Sequence, residues 1–215
     1  MEVAVKVCGL RRPEDAVEAF AQGAAYGGVI GHPASPRFVP EEMERDLLDR
    51  IPVGRRVWVA VEPHPDRVEA AFARGFDFAQ IHFDPEGTYS PQLLAEGVDA
   101  ERLWLAPRMA NPLEFQPEWI ELAGLFLIDG FARDRMGGTG QLVDGEAYAE
   151  LQRKFPEAVF ALAGGLDPQN IGAMLRASEA TQIDVNSGVE SAPGVKDPRL
   201  IRQLFERVRE ADPEE

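Results

Sequence analysis

A single cysteine, Cys8, closes the apolar alternation VAVKVC just before a glycine and two arginines. A thiol at the end of a strand either packs as a small hydrophobe or, under nearby positive potential, becomes available for chemistry. Asp129 follows the wholly apolar GLFLI, so its carboxylate is either a helix or turn cap or the acid of a desolvated site. His82 ends the run DFAQIH, and Asp184 lies inside QIDVNS, which runs out at Asn186, Ser187 and Gly188. A thiol, an imidazole and carboxyls at strand ends are residue types that proton-transfer chemistry can use.

Two glycine-containing stretches have the makings of an anion site: LAGGLDPQN with Gly164 and Gly165, and NSGVESAPG with Ser187 and Gly188. Glycine removes the side-chain obstruction and lets consecutive backbone N–H groups converge on a ligand. Each stretch alone reads equally well as a loop turn. The two together, in the last two loops of the chain's pattern, point to a phosphorylated small molecule.

These residues need a frame, and the chain repeats one alternation. Short apolar runs recur as VAVKVC, AYGGVIG, RVWVAV, DFAQIH, RLWLAP, GLFLID, AVFALA and QIDVNS, separated by helical patterns. Pro13, Glu14 and Asp15 before AVEAFAQG, and Asp167-Pro168 before QNIGAMLRA, are helix start signals. A fifth helix is expected near 113–122. Eight strand-and-helix units of about 25–30 residues each predict an α/β fold, a (β/α)8 TIM barrel. The spacing, and the lack of G-x-G-x-x-G after the first run, weigh against a doubly wound open sheet. Residues 1–215 then form one domain, the last few residues fraying. In such a barrel the chemistry sits at the C-terminal ends of the strands, where Cys8, His82 and Asp129 fall.

Composition narrows the class. With 45% hydrophobic residues, 215 residues can bury a sizeable core. No apolar run approaches about eighteen residues and no signal segment opens the chain, so no membrane association and a cytoplasmic location are expected. The formal charge of -15 argues against a nucleic-acid partner. An anionic substrate therefore needs a locally positive site. Monomer and homodimer are both compatible with the sequence.

The stretches KVCGLRRPEDA, HPASPRFVPEE, QIH, LIDG followed by GGTG, LAGGLDPQNI and IDVNSGVESAPGVKDP resemble the phosphoribosylanthranilate isomerase family of tryptophan biosynthesis, in family order and each at a strand end. The resemblance implies an Amadori rearrangement of N-(5'-phosphoribosyl)anthranilate, with neither metal nor organic cofactor. It implies that Asp129 is the general acid, Cys8 the base and Arg37 the partner of the anthranilate carboxylate. Gly164, Gly165, Ser187 and Gly188 would bind phosphate. Gln80, His82 and Asp184 would complete the pocket, and Gly137, Gly138, Thr139 and Gly140 would form a loop that closes on substrate. Such a base needs a pKa not far above neutral, which neighbouring positive charge could supply. Lys6, two residues back, shares the strand face of Cys8.

Several positions depart from the family pattern. GVIGHPASPR carries Gly31, His32 and Ala34, Phe83 replaces a glycine, strand five ends in WLAPRM, and Asn186 stands in DVNSG. They touch the pocket walls, and they keep an alternative in view: a divergent phosphate-binding barrel paralogue with another sugar-phosphate substrate, or a binding role without turnover. Cys8 itself argues against the histidine-pathway isomerase, which has aspartate there. The lysines used by indole-glycerol-phosphate synthase are missing.

Overall fold

A computed structural model describes residues 3–130 and 142–211. Eight parallel strands close on themselves in chain order. They are β1 (Ala4–Val7), β2 (Tyr26–Ile30), β3 (Arg56–Val61), β4 (Phe78–Phe83), β5 (Leu103–Pro107), β6 (Leu125–Ile128), β7 (Phe160–Leu162) and β8 (Gln182–Val185). The seam is the β1–β8 pairing, in which Lys6 lies opposite Asp184.

Each strand is apolar on both faces because one face fills the barrel and the other meets the helices. Residues two apart share a face. Cys8, Ile30, Val59, Leu127 and Ala163 belong to the inner cluster, whereas Val7, Val29, Trp58, Ile128 and Leu162 pack in the outer core. Tyr26, Phe78 and Trp104 cluster at the N-terminal strand ends, with Tyr26 edge-on to both other rings. They plug the bottom of the barrel, and the polar inward positions fall at the opposite mouth.

Helices α1 (Pro13–Ala21), α2 (Glu41–Leu48), α3 (Pro65–Ala73), α4 (Gln92–Ala95), α5 (Gly145–Lys154), α6 (Ile171–Ser178) and α7 (Pro198–Ala211) cover the strands. Helix α1 starts at Pro13 as expected. Helix α6 starts later than Asp167, because that carboxylate accepts from the N–H groups of Gln169 and Asn170 and builds a turn first. None of the helices described is long and apolar enough to cross a membrane.

The expected fifth helix is absent. Its place is taken by two 3-10 segments, Pro112–Glu114 and Pro117–Leu122. Pro117 falls inside the expected run, lacks an N–H and disfavours helical geometry at Gln116, so no α-helix continues through it, and Pro112 and Pro117 each open a 3-10 segment instead. Burial still fixes the segment. Phe115 packs edge-to-face on Trp119, Phe126 and Phe160 at centroid distances of 5.4, 4.9 and 5.1 Å.

Candidate active site

The C-terminal strand ends surround a cavity of about 540 Å³. Cys8, Arg37, Asp129, Gly164, Gly165, Ser187 and Gly188 line it, as do Gln80, His82 and Asp184. The sequence-predicted set is thus brought together, except Gly138 and Gly140, which lie outside the described residues with the rest of the GGTG stretch.

Cys8 is 3% exposed and extends β1 by donating its N–H to the Val185 carbonyl. One turn of the pleat below it, Lys6 Nζ makes a 2.8 Å ion pair with Asp184 Oδ1, both groups buried. The expectation of a thiol drawn down by positive charge is corrected here. Burial pushes the Cys8 thiol up, and Asp184 adds to the rise. Lys6 and Lys196 oppose it without winning. Desolvation of the thiolate is the largest influence, and the carboxylate that sits among the two ammonium groups offsets part of their pull.

Asp129 follows β6, across the barrel from Cys8. Its carboxyl is pushed up to about 7, first by burial and then by the charge of Asp184, against the Gly130 N–H and Lys6. It can therefore hold a proton near neutral pH, as an acid must. Gly164, with φ of +88°, lets the loop after β7 touch this carboxyl: a Cβ there would come within 2.6 Å of Asp129 Oδ1 and strike the Gly130 nitrogen. Gly188 interlocks the loops after β7 and β8, since a Cβ would collide with the Leu166 carbonyl and lie 2.8 Å from Asp167 Cβ. The close approach leaves the backbone of both loops at the cavity rim, where an anion can reach it.

Opposite, Gln80 Nε2 and His82 Nε2 are 2.8 Å apart. Burial, then Lys6, Arg108 and His32, push the His82 imidazole down to about 4, so it is neutral. It offers hydrogen bonds and no charge.

A family model described as N-(5'phosphoribosyl)anthranilate (PRA) isomerase matches residues 5–207. The chain belongs to that family. A relative from Paracoccus denitrificans, N-(5'-phosphoribosyl)anthranilate isomerase, is 35% identical over 217 residues, covering 96% of this chain and 97% of its own. One of the same name from Syntrophus aciditrophicus is 34% identical over 207 residues, 95% of this chain and 86% of its own. The crystal structure of phosphoribosyl anthranilate isomerase from Thermus thermophilus has a TM-score of 0.80 at 28% identity, covering 97% of this chain and 99% of its own.

In this isomerase Arg108, Glu190 and Lys196 escape a reading of the sequence for chemistry, and His32 enters it only as a departure in the pocket wall. His32 Nε2, Gln80 Oε1 and Arg108 Nε are buried without a hydrogen-bond partner among the described residues, and all three side chains line the cavity. Glu190 and Lys196 lie in the hairpin β9 (Glu190–Ala192) and β10 (Val195–Lys196) that follows β8. One signal was there to use: the chain has many arginines but lysines only at 6, 154 and 196, and Lys6 and Lys196 are both buried at the site. A buried lysine is rare unless paired.

Proposed function

We infer that this cavity converts N-(5'-phosphoribosyl)anthranilate to 1-(2-carboxyphenylamino)-1-deoxyribulose 5-phosphate, with Asp129 as general acid and Cys8 as general base. The observation that carries this is the placement of a thiol and a proton-holding carboxyl at the mouth of one cavity, beside two interlocked glycine loops. Asp129 protonates the furanose ring oxygen, the C1'–O bond breaks, and the anilino nitrogen's lone pair forms the Schiff base. Cys8 thiolate then takes the C2' proton, and the C2'–H electrons form the enolamine double bond. Tautomerisation returns a proton to C1' and leaves the ketone at C2'. Oxidation at C2' is balanced by reduction at C1' within the substrate, so Asp129 and Cys8 need supply only the two proton transfers that precede the tautomerisation.

Gly164, Gly165, Ser187 and Gly188 hold the phosphate through backbone and hydroxyl donors, and Arg37 receives the anthranilate carboxylate, to which a planar guanidinium offers parallel donors. Holding both ends of the substrate fixes the ring between acid and base. A buried single thiol suits a reducing, cytoplasmic setting. Light scattering on the purified chain distinguishes monomer from homodimer.

The test is the loss of anthranilate fluorescence from freshly prepared phosphoribosylanthranilate. Turnover supports the reading. A folded protein that leaves the fluorescence unchanged, while phosphate analogues raise its Tm, would instead favour a paralogue with another sugar-phosphate substrate.

A further inference from the structure

Arg37 does not project freely into the cavity. Its Nε donates to Glu190 Oε1 at 2.9 Å and its Nη2 to Oε2 at 2.7 Å, a two-point grip across 153 positions of sequence. Glu190 is itself held: Lys196 Nζ donates to Glu190 Oε1, to the Asn186 carbonyl and to Asn186 Oδ1, each at 2.9 Å. All three ammonium donors are used, so Lys196, 1% exposed, is fully satisfied. The departure at Asn186 finds its reason here, because the amide oxygen supplies one of those acceptors.

Two consequences follow from this arrangement. With the Nε edge of the guanidinium committed to Glu190, Nη1 makes no hydrogen bond among the described residues, and its N–H groups with the second N–H of Nη2 form the edge left for a ligand. The cluster also carries two cations against one carboxylate. In a chain of formal charge -15 it is a built pocket of positive excess, complementary to one further carboxylate.

We propose that Glu190 and Lys196 are positioning residues that hold Arg37 one-sided, so that the cluster selects substrates bearing an ortho carboxylate on the aromatic ring. This rests on the reading of Arg37 as the carboxylate contact. Glu190 alone would neutralise Arg37. Lys196 offsets that carboxylate, so the grip fixes the guanidinium plane without cancelling its pull on the ligand. Released from Glu190, Arg37 would sample rotamers, and a bidentate contact tolerates little misalignment.

Two ligands test it: the borohydride-reduced product analogue, and the same compound made from aniline, which lacks the carboxylate. Inhibition constants are measured for wild type, Arg37→Gln, Glu190→Gln and Lys196→Met, with Tm checked for each. The expected result is that Glu190→Gln and Lys196→Met each weaken the carboxylated ligand by about tenfold. The aniline ligand should stay within about twofold of wild type, and KM should rise more than kcat falls. Lys196 makes no hydrogen bond to Arg37, so a carboxylate-selective loss there reflects its hold on Glu190 together with its share of the cluster's positive charge, and Glu190→Gln isolates the first of these. If Lys196→Met does not fold, the near-isosteric Glu190→Gln decides alone. Should Arg37→Gln be carboxylate-selective while the other two weaken both ligands equally or neither, the positioning role is overturned and the Arg37 reading stands. Should Arg37→Gln itself show no selectivity, both are overturned.

Discussion

Lys6 and Asp184 meet at 2.8 Å in register across the seam that closes the barrel, on the same inward face as Cys8. The pair therefore closes the barrel and sets charge beside the thiol. Charges acting on the thiol are Lys6 from its own strand, Asp184 from β8 and Lys196 from the hairpin, with Arg37 coupled to it from the loop after β2. Asp184→Asn removes an anion that opposes the thiolate, so Cys8 should ionise at lower pH. Lys6→Met does the reverse and also strands a buried carboxylate, at a cost of about 3–5 kcal/mol in stability. The rate of iodoacetamide alkylation against pH reads only Cys8, the sole cysteine. Profiles displaced downward for Asp184→Asn and upward for Lys6→Met are expected; superimposable profiles would show that the pair does not act on the thiol.

Acid and base have their affinities in reverse order. The Asp129 carboxyl sits at about 7, and the Cys8 thiol lies above its ordinary value because burial dominates. The active form, carboxyl protonated and thiol ionised, carries one proton, as does its inactive tautomer. Its share rises with pH up to about 7, stays level on the alkaline side, and falls once the thiol titrates. We expect kcat/KM to trace that plateau; an optimum below pH 6 would contradict it.

The same carboxyl makes a stability prediction of definite sign. Unfolded aspartate loses its proton near pH 4, the folded one at about 7. Folding therefore retains a proton across that window, and the contribution of Asp129 to stability is full below about pH 4 and is lost as pH rises to about 7. Asp129→Asn should leave Tm nearly unchanged at pH 4 and raise it at pH 8, while activity collapses. Calorimetry at the two pH values checks this, and equal changes in Tm at both would refute it.

Gly188→Ala sets a methyl group against the Leu166 carbonyl. The loops after β7 and β8 must separate, costing about 1–3 kcal/mol and dispersing the phosphate donors. KM should rise by at least about tenfold with a smaller change in kcat, and inorganic phosphate should no longer raise Tm. An unaltered KM would place the phosphate elsewhere.

Most of the barrel was legible because parallel strands buried on both faces announce themselves as apolar runs, and all eight runs became strands. The fifth helix failed where hydrophobicity was read without its punctuation: Pro117 falls inside the expected 113–122 run and breaks it. Cys8, Asp129 and the glycine loops were legible as strand-end and loop signals. The bond between Arg37 and Glu190 was not, since no local pattern links a loop after β2 to a hairpin after β8. Nor was the direction of the thiol's shift, which depends on how burial and three neighbouring charges balance in space.

The most direct measurement is the single-turnover rate of Cys8→Ser on phosphoribosylanthranilate, beside wild type at the same pH. If the thiolate removes the C2' proton, the rate falls by about 10²–10⁴-fold while Tm and the affinity for the reduced product analogue are kept. A Cys8→Ser enzyme within a few-fold of wild type would show that the thiol at the end of β1 is a packing residue and that another group is the base.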